Sequence, residues 1–456
     1  MSIGLIGIII ALVIFLLLTY KGFSTFYVSV ICAVIVAVTN SINPLTAFST
    51  NYVTGLVEII TSLFAIIFLG AILGKLFTDT GAAASIANTL IKTFIKDGQS
   101  EKKKVVIGLL ILLIFGGLCT MGGIDAYIQV FTLFPVTLII AEACNIPRRF
   151  VPGMITLNCA FVAAPGAPQI MNVLAVHAMQ GAGFTEVSST SGLIPGLVAL
   201  VIIAVGGYFT LLVMIMKDKK NSLGFEMGDV PAIPHEEGRK LPPFILALLP
   251  LIAVFVCYTI IHWNIAIALT IGILINLVLM QQYIPRTERG QKITGIAAIR
   301  NSLNFGADNY PGAMMMIGTP AAFAGVITAT QAFGSMVHGL STLQINIMML
   351  AFVAVAIIVL FTSSPPAALM ISLPMIVGIA AAKGLDINPH LILRIAVLTS
   401  ITFESLPWNG TILLMQKINH TNHKQSYMPY FWQTVVWTTV AALAAVVISI
   451  AAPGLN

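Results

Sequence analysis

Residues 403–411 read Phe-Glu-Ser-Leu-Pro-Trp-Asn-Gly-Thr, so an ionisable carboxyl, Glu404, stands among hydrogen-bonding groups at Ser405, Asn409 and Thr411. A group that can take up a proton, set beside neutral polar side chains, is chemistry suited to moving a proton together with a small anion. The stretch interrupts an apolar run, 391–415, where a membrane helix would otherwise continue. Pro407 removes a backbone donor and Gly410 adds chain entropy, so the helix is expected to break here. Non-helical backbone at membrane depth is tolerated only where protein buries it or a watery cavity meets it. The break is therefore a candidate binding site.

A second stretch repeats the pattern. Ala163-Ala-Pro-Gly-Ala-Pro-Gln169 interrupts the apolar run 150–179, with Asn172 just beyond it. Pro147 precedes Pro165 by 18 residues, and Pro389 precedes Pro407 by the same 18. Matched interruptions in the two halves of a chain are the best sequence pointer to a transporter's substrate site. Two further polar centres lie in long apolar stretches: Cys119-Thr-Met-Gly-Gly-Ile-Asp125 and Thr362-Ser-Ser-Pro-Pro366.

These four places can each start a helix at membrane depth. Helix N-termini offer unpaired N–H groups and the positive end of the dipole, both favourable to an anion. Ser363 and Ser364 before Pro365 read as a cap followed by proline in the first turn. Pro165 and Pro407 can start the second halves of the broken helices, and Gly122 and Gly123 let a hairpin turn tightly before Ala126. Any one such Pro or Gly could simply kink a packed helix. Four at matched positions favour a site formed by Gly122, Gly123, Asp125, Pro165, Gly166, Gln169, Asn172, Ser363, Ser364, Ser405, Asn409 and Thr411.

Intramembrane acids are costly, so they are functional candidates by default. Glu404 is the leading proton carrier, because a low-dielectric surrounding favours the neutral form, which can cross with a substrate. Asp125 is the second candidate and could instead cap the helix after it. Glu58 reads as reaching the outer interface, and Asp308 as a member of a buried polar network.

The 456 residues are 58% hydrophobic and 8% charged, against about 25% charged in soluble domains, so the chain is an all-α polytopic membrane protein. The net charge of +6 is concentrated in alternating loops, as the positive-inside rule predicts, and does not point to nucleic acid. Five scattered cysteines without ligand spacing give no metal site, and no cofactor is expected. The apolar segment 1–19 lacks a basic start and a cleavage site, so it is expected to be a membrane helix.

About ten spans of suitable length fall near 3–19, 23–39, 53–76, 192–216, 243–261, 265–284, 301–326 and 430–452, with broken spans at 150–180 and 391–416. The stretches 105–143 and 343–382 are too long for one span. Reading each as a re-entrant hairpin gathers 20 of the 22 Lys and Arg on the cytoplasmic side, leaving Lys383 and Arg394 at or outside the outer face. Both termini then lie outside the cytoplasm. The halves 1–216 and 242–456 share one element order and form an inverted repeat, joined by a polar cytoplasmic linker, 217–241.

With these breaks in view, the chain resembles the gluconate permease (gluconate:proton symporter) family over nearly its whole length. The resemblance is carried by Gly70-Ala-Ile-Leu-Gly-Lys-Leu76, Thr80-Gly-Ala-Ala83, Gly122-Gly-Ile-Asp-Ala-Tyr127, Asn145-Ile-Pro-Arg-Arg149, Ala164-Pro-Gly-Ala-Pro-Gln169 with Asn172, and Glu404-Ser-Leu-Pro-Trp-Asn-Gly410. It is closer to the hydroxybutyrate-type branch, with Glu404 where Asp is usual, Trp408 where His is usual, and Pro-rich Ser363–Pro366 where small residues are commoner. The resemblance implies proton-coupled uptake of a small hydroxy- or sugar-acid anion across a bacterial cytoplasmic membrane. Wider kinship with the ion transporter superfamily implies an elevator-type homodimer. Sodium coupling or antiport is the alternative. An intramembrane enzyme is disfavoured, because there is no His-Glu-x-x-His, no paired Asp motif and no nucleophile–base set.

Overall fold

The computed structural model describes residues 3–455 except 22, 97, 125, 227–239, 289–290, 363–364 and 407–409. The first half opens with α1 (Ile3–Tyr20), α2 (Thr25–Thr39), α3 (Val53–Asp79) and α4 (Ala82–Phe94). A helical hairpin follows: α5 (Glu101–Met121), whose N-terminus is capped by Ser100, and α6 (Ala126–Ala143). The broken helix consists of α7 (Val151–Ile155), a 3-10 turn, α8 (Cys159–Val162) and, past the break, α9 (Ile170–Gly181). The half closes with α10 (Leu193–Lys220).

The second half repeats this order. It contains α11 (Phe244–Phe255), α12 (Ile265–Met280), α13 (Gly295–Thr328), α14 (Gln331–Ser341) and a hairpin of α15 (Ile347–Thr362) and α16 (Pro365–Ala382). The second broken helix is α17 (Pro389–Ser400) and α18 (Gly410–Ile418), and the half closes with α19 (His423–Phe431) continuing through a π turn into α20 (Thr438–Ala451). Pro389 starts α17 where its missing N–H costs nothing, and the Asn388 side chain accepts from the N–H groups of His390 and Leu391.

The packing repeats with the order. Helix α1 packs on α2 as α11 does on α12; α2 packs on α13 as α12 does on α3; and α14 meets α1 as α4 meets α11. In the other group of helices, α10 packs on α5 as α20 does on α15, and α9 packs on α16 as α18 does on α6. The pairs α3–α13 and α10–α20 pack across the two halves.

Three features depart from the expected layout. Helices α4 and α14 lie where only loop was expected. In α4 the apolar positions Ala82, Ala83, Ile86 and Ala87 are buried at helical spacing. The loop after α12 carries a two-stranded antiparallel pair, Thr287–Glu288 with Gln291–Lys292. Asp308 is exposed on α13, not in a buried network.

Among the described residues four helices are long and apolar enough to cross a membrane unbroken: Glu101–Met121, Leu193–Lys220, Ile265–Tyr283 and His423–Ala451. Helix α5 is thus as long as a full span, about 31 Å at 1.5 Å per residue, although it was expected to be one arm of a hairpin. Several shorter apolar helices accompany these four, and the chain is a multi-pass membrane protein.

Candidate functional site

The two helix breaks meet at one cavity of about 90 Å³. From the first broken helix come Thr156, Asn158, Gln169 and Met171; from the second, Glu404, Ser405 and Thr411. Tyr430, Thr434 and Thr438 on α19–α20 line it as well. Helices α9 and α18 both begin at this cavity, since Ile170 and Met171 of the one and Thr411 and Ile412 of the other lie on its wall. Two N-termini therefore converge there. Each brings a first turn of N–H groups without intrahelical acceptors and a positive dipole end.

Gln169 is 1% exposed and ties the first break to the tip of the first hairpin. Its Nε2 donates to the carbonyls of Thr120 (2.8 Å) and Ile124 (3.2 Å). Those two acceptors fix which way the amide points, because the flipped amide would set oxygen against oxygen. Its Oε1 is left buried with no partner within the protein. Gln129, on α6, holds the same tip by donating to Ile124 O and Thr120 Oγ1, and its own oxygen accepts from Asn158.

We expect Gln169→Leu to raise the KM for transport at least tenfold. It removes the donor that ties the first break to the hairpin tip through the carbonyls of Thr120 and Ile124, and each lost hydrogen bond costs roughly 0.5–1.5 kcal/mol. Uptake kinetics of the purified variant check this; an unchanged KM would remove Gln169 from the site.

Of the other expected residues, Glu404, Ser405 and Thr411 lie on the cavity with Gln169, whereas Pro165, Gly166 and Asn172 do not. Pro165 packs against α10, where a Cβ on Gly196 would come within 2.4 Å of its ring. Gly166 has φ +78°, donates to Ser189 O and accepts from Thr259 Oγ1. Asn172 is consumed by the break itself: Nδ2 donates to Ala164 O and Ala167 O, both at 3.0 Å. In this structure Asn172 holds the break, its oxygen accepting from Arg394. Gly122 and Gly123 turn their Cα hydrogens toward α11 and α12, where a Cβ would meet Leu251, Val254 and Leu269 at 2.6–2.9 Å. Asp125, Ser363, Ser364 and Asn409 lie outside the described residues.

The residue whose role sequence reasoning missed is Arg394. Read only as a charge near or outside the outer face, it is 0% exposed in α17. Its Nε donates to Ser191 O (2.9 Å), Nη1 to Ala163 O and Asn172 Oδ1 (both 2.8 Å), and Nη2 to Ser189 O (2.6 Å). A single guanidinium from the second half thus gathers the carbonyls that the first break and the loop before α10 leave without helical partners. The planar fork of Arg suits this, and the ammonium of Lys would not. It also sets a positive charge behind the cavity wall, one residue from Met171. The signal was available: one Arg inside an unbroken apolar run is costly in a membrane unless it is paired.

The comparisons with known proteins agree with this architecture. Residues 3–452 match the GntP family permease profile. The chain is 26% identical to the uncharacterized transporter YxjC of Bacillus subtilis (strain 168), over 97% of this chain and 98% of that one. In fold it is similar to the crystal structure of the Alcanivorax borkumensis YdaH transporter, with a TM-score of 0.50, 13% identity and 90% of each chain covered. These are transporters and not enzymes, so a small-molecule substrate and a membrane are its partners. The chain belongs to the GntP family of permeases.

Proposed function

We propose that the protein is a proton-coupled symporter that takes up a small hydroxy-carboxylate anion across the bacterial cytoplasmic membrane. The observation that carries this reading is the convergence of both breaks, with their two helix N-termini and Glu404, on one cavity. The N-termini suit a carboxylate, and the hydroxyl-bearing residues Thr156, Ser405 and Thr434 on the cavity wall suit a substrate hydroxyl. Glu404 supplies the coupling. A charged carboxylate about 4 Å from the substrate anion would oppose binding by ~4 kcal/mol at an effective dielectric of ~20, roughly a thousandfold in affinity. Substrate therefore binds when Glu404 is protonated, and affinity rises as pH falls.

Size points to short substrates. The cavity is small, with room for several waters at ~15 Å³ each, which favours a short hydroxy acid such as lactate or 3-hydroxybutyrate over gluconate. We expect 3-hydroxybutyrate to compete for uptake at least tenfold better than gluconate. Equal competition would contradict the size argument.

The matched packing of the two halves supports an inverted repeat, in which either break can be reached from either side in turn. In that arrangement α1–α3 and α11–α13 form a scaffold, and the hairpins with the broken helices form the body that moves, as an elevator within a homodimer. The charge distribution supports hairpin 105–143 opening to the cytoplasm, with both termini outside. The second reading is sodium coupling. It is favoured by Thr156, Thr434 and Thr438 on the cavity wall, since their hydroxyls donate to backbone carbonyls and keep lone pairs. Uptake at fixed pH with and without Na⁺ separates the two.

A further inference from the structure

A groove on the outer face of α10, away from the substrate cavity, has its own chemistry. Val201, Val205, Phe209 and Val213 recur every four residues and are 48–66% exposed. With Trp432 and Trp437 they line an open trough of about 690 Å³. Its floor is Gly206, where a Cβ would lie 2.2 Å from the Trp437 ring. A second trough, about 580 Å³, shares Phe209 and Val213 and runs on past Leu212 and Met216 to Lys102, Lys217 and Lys220.

The groove is thus apolar along the helix and closed at one end by three ammonium groups. The neighbouring acids are already engaged, Glu101 by Lys219 and Asp218 by Arg149. From Phe209 to Lys220 the helix rises about 16 Å, about one leaflet of a ~30 Å hydrocarbon core.

We propose that this groove binds an anionic phospholipid of the leaflet on the lysine side, its phosphate on Lys102, Lys217 and Lys220 and an acyl chain along α10. The charge at the groove's end selects this occupant. A second copy related by a twofold axis along the membrane normal would bring its own three ammonium groups to the same depth, which like-charge repulsion opposes. A phospholipid supplies the opposite charge at that depth and an apolar tail of matching length.

The test is native mass spectrometry of the purified full chain in neutral detergent, titrated with phosphatidylglycerol or with phosphatidylcholine of the same chains. Each basic residue near an anionic headgroup strengthens binding about fivefold, so three give roughly a hundredfold preference for phosphatidylglycerol. The triple variant K102Q/K217Q/K220Q is expected to lose that preference while still binding phosphatidylcholine. A control neutralising Lys96, Lys103 and Lys424 instead is expected to keep it, which separates the groove from general surface charge. Equal binding of the two lipids by the unmodified chain, or an unaltered preference in the triple variant, would overturn the proposal. So would a triple variant that loses an oligomer instead of a lipid, since the groove would then be a contact between copies.

Discussion

Arg394→Met abolishes uptake and lowers the apparent melting temperature in detergent more than any other single substitution at the site. The variant keeps an unbranched apolar stem but removes the guanidinium, which leaves the carbonyls of Ala163 and Ser191 and the oxygen of Asn172 without this donor and the carbonyl of Ser189 with the Gly166 N–H alone. Hydrogen bonds to charged groups contribute ~1.5–3 kcal/mol each, so even partial relaxation leaves a loss of several kcal/mol. Arg394→Lys keeps the charge but cannot reach four acceptors spread around a planar fork, and we expect it to recover folding more than transport. Near-normal uptake and melting by Arg394→Met would show that the first break holds its shape without the guanidinium.

The second large effect is at Glu404. Glu404→Gln mimics the protonated side chain, so it is expected to bind substrate over a wide pH range and to exchange external for internal substrate. What it loses is accumulation. One pH unit is worth 1.36 kcal/mol, so one coupled proton drives about tenfold accumulation per unit of gradient, and the variant is expected to show none. Counterflow and gradient-driven uptake in the same vesicles check this. If Glu404→Gln accumulates substrate as well as the parent, the proton travels by another group, and Asp125 is the next to test.

The sequence was informative where chain chemistry is local. Pro165, 18 residues after Pro147, marks the break between Val162 and Ile170, and a second break follows Ser400 and ends at Gly410. Gly122 and Gly123 fall between the arms of the first helical hairpin. The helical character of α4 was also readable, from Ala82, Ala83, Ile86 and Ala87 at three- and four-residue spacing, but the lysines around it read as plain loop.

What sequence could not supply was the side chains that arrive from elsewhere in the chain. Tyr430, Thr434 and Thr438 look like ordinary helix positions and reach the cavity only because α19–α20 packs behind both breaks. Asn172 looks like a free amide until Arg394, 222 residues away, is seen to share it. Polar residues near a break divide into those that face the cavity and those that hold the break open. That division depends on which carbonyls the break leaves bare.

The most direct test of proton symport is uptake of labelled 3-hydroxybutyrate into proteoliposomes of the purified protein, with and without an inward proton gradient. Proton symport gives accumulation above equilibrium that needs the gradient, collapses with a protonophore and is indifferent to Na⁺. Flux that stops at equilibrium whatever the gradient, or accumulation that follows Na⁺ at fixed pH, would contradict it.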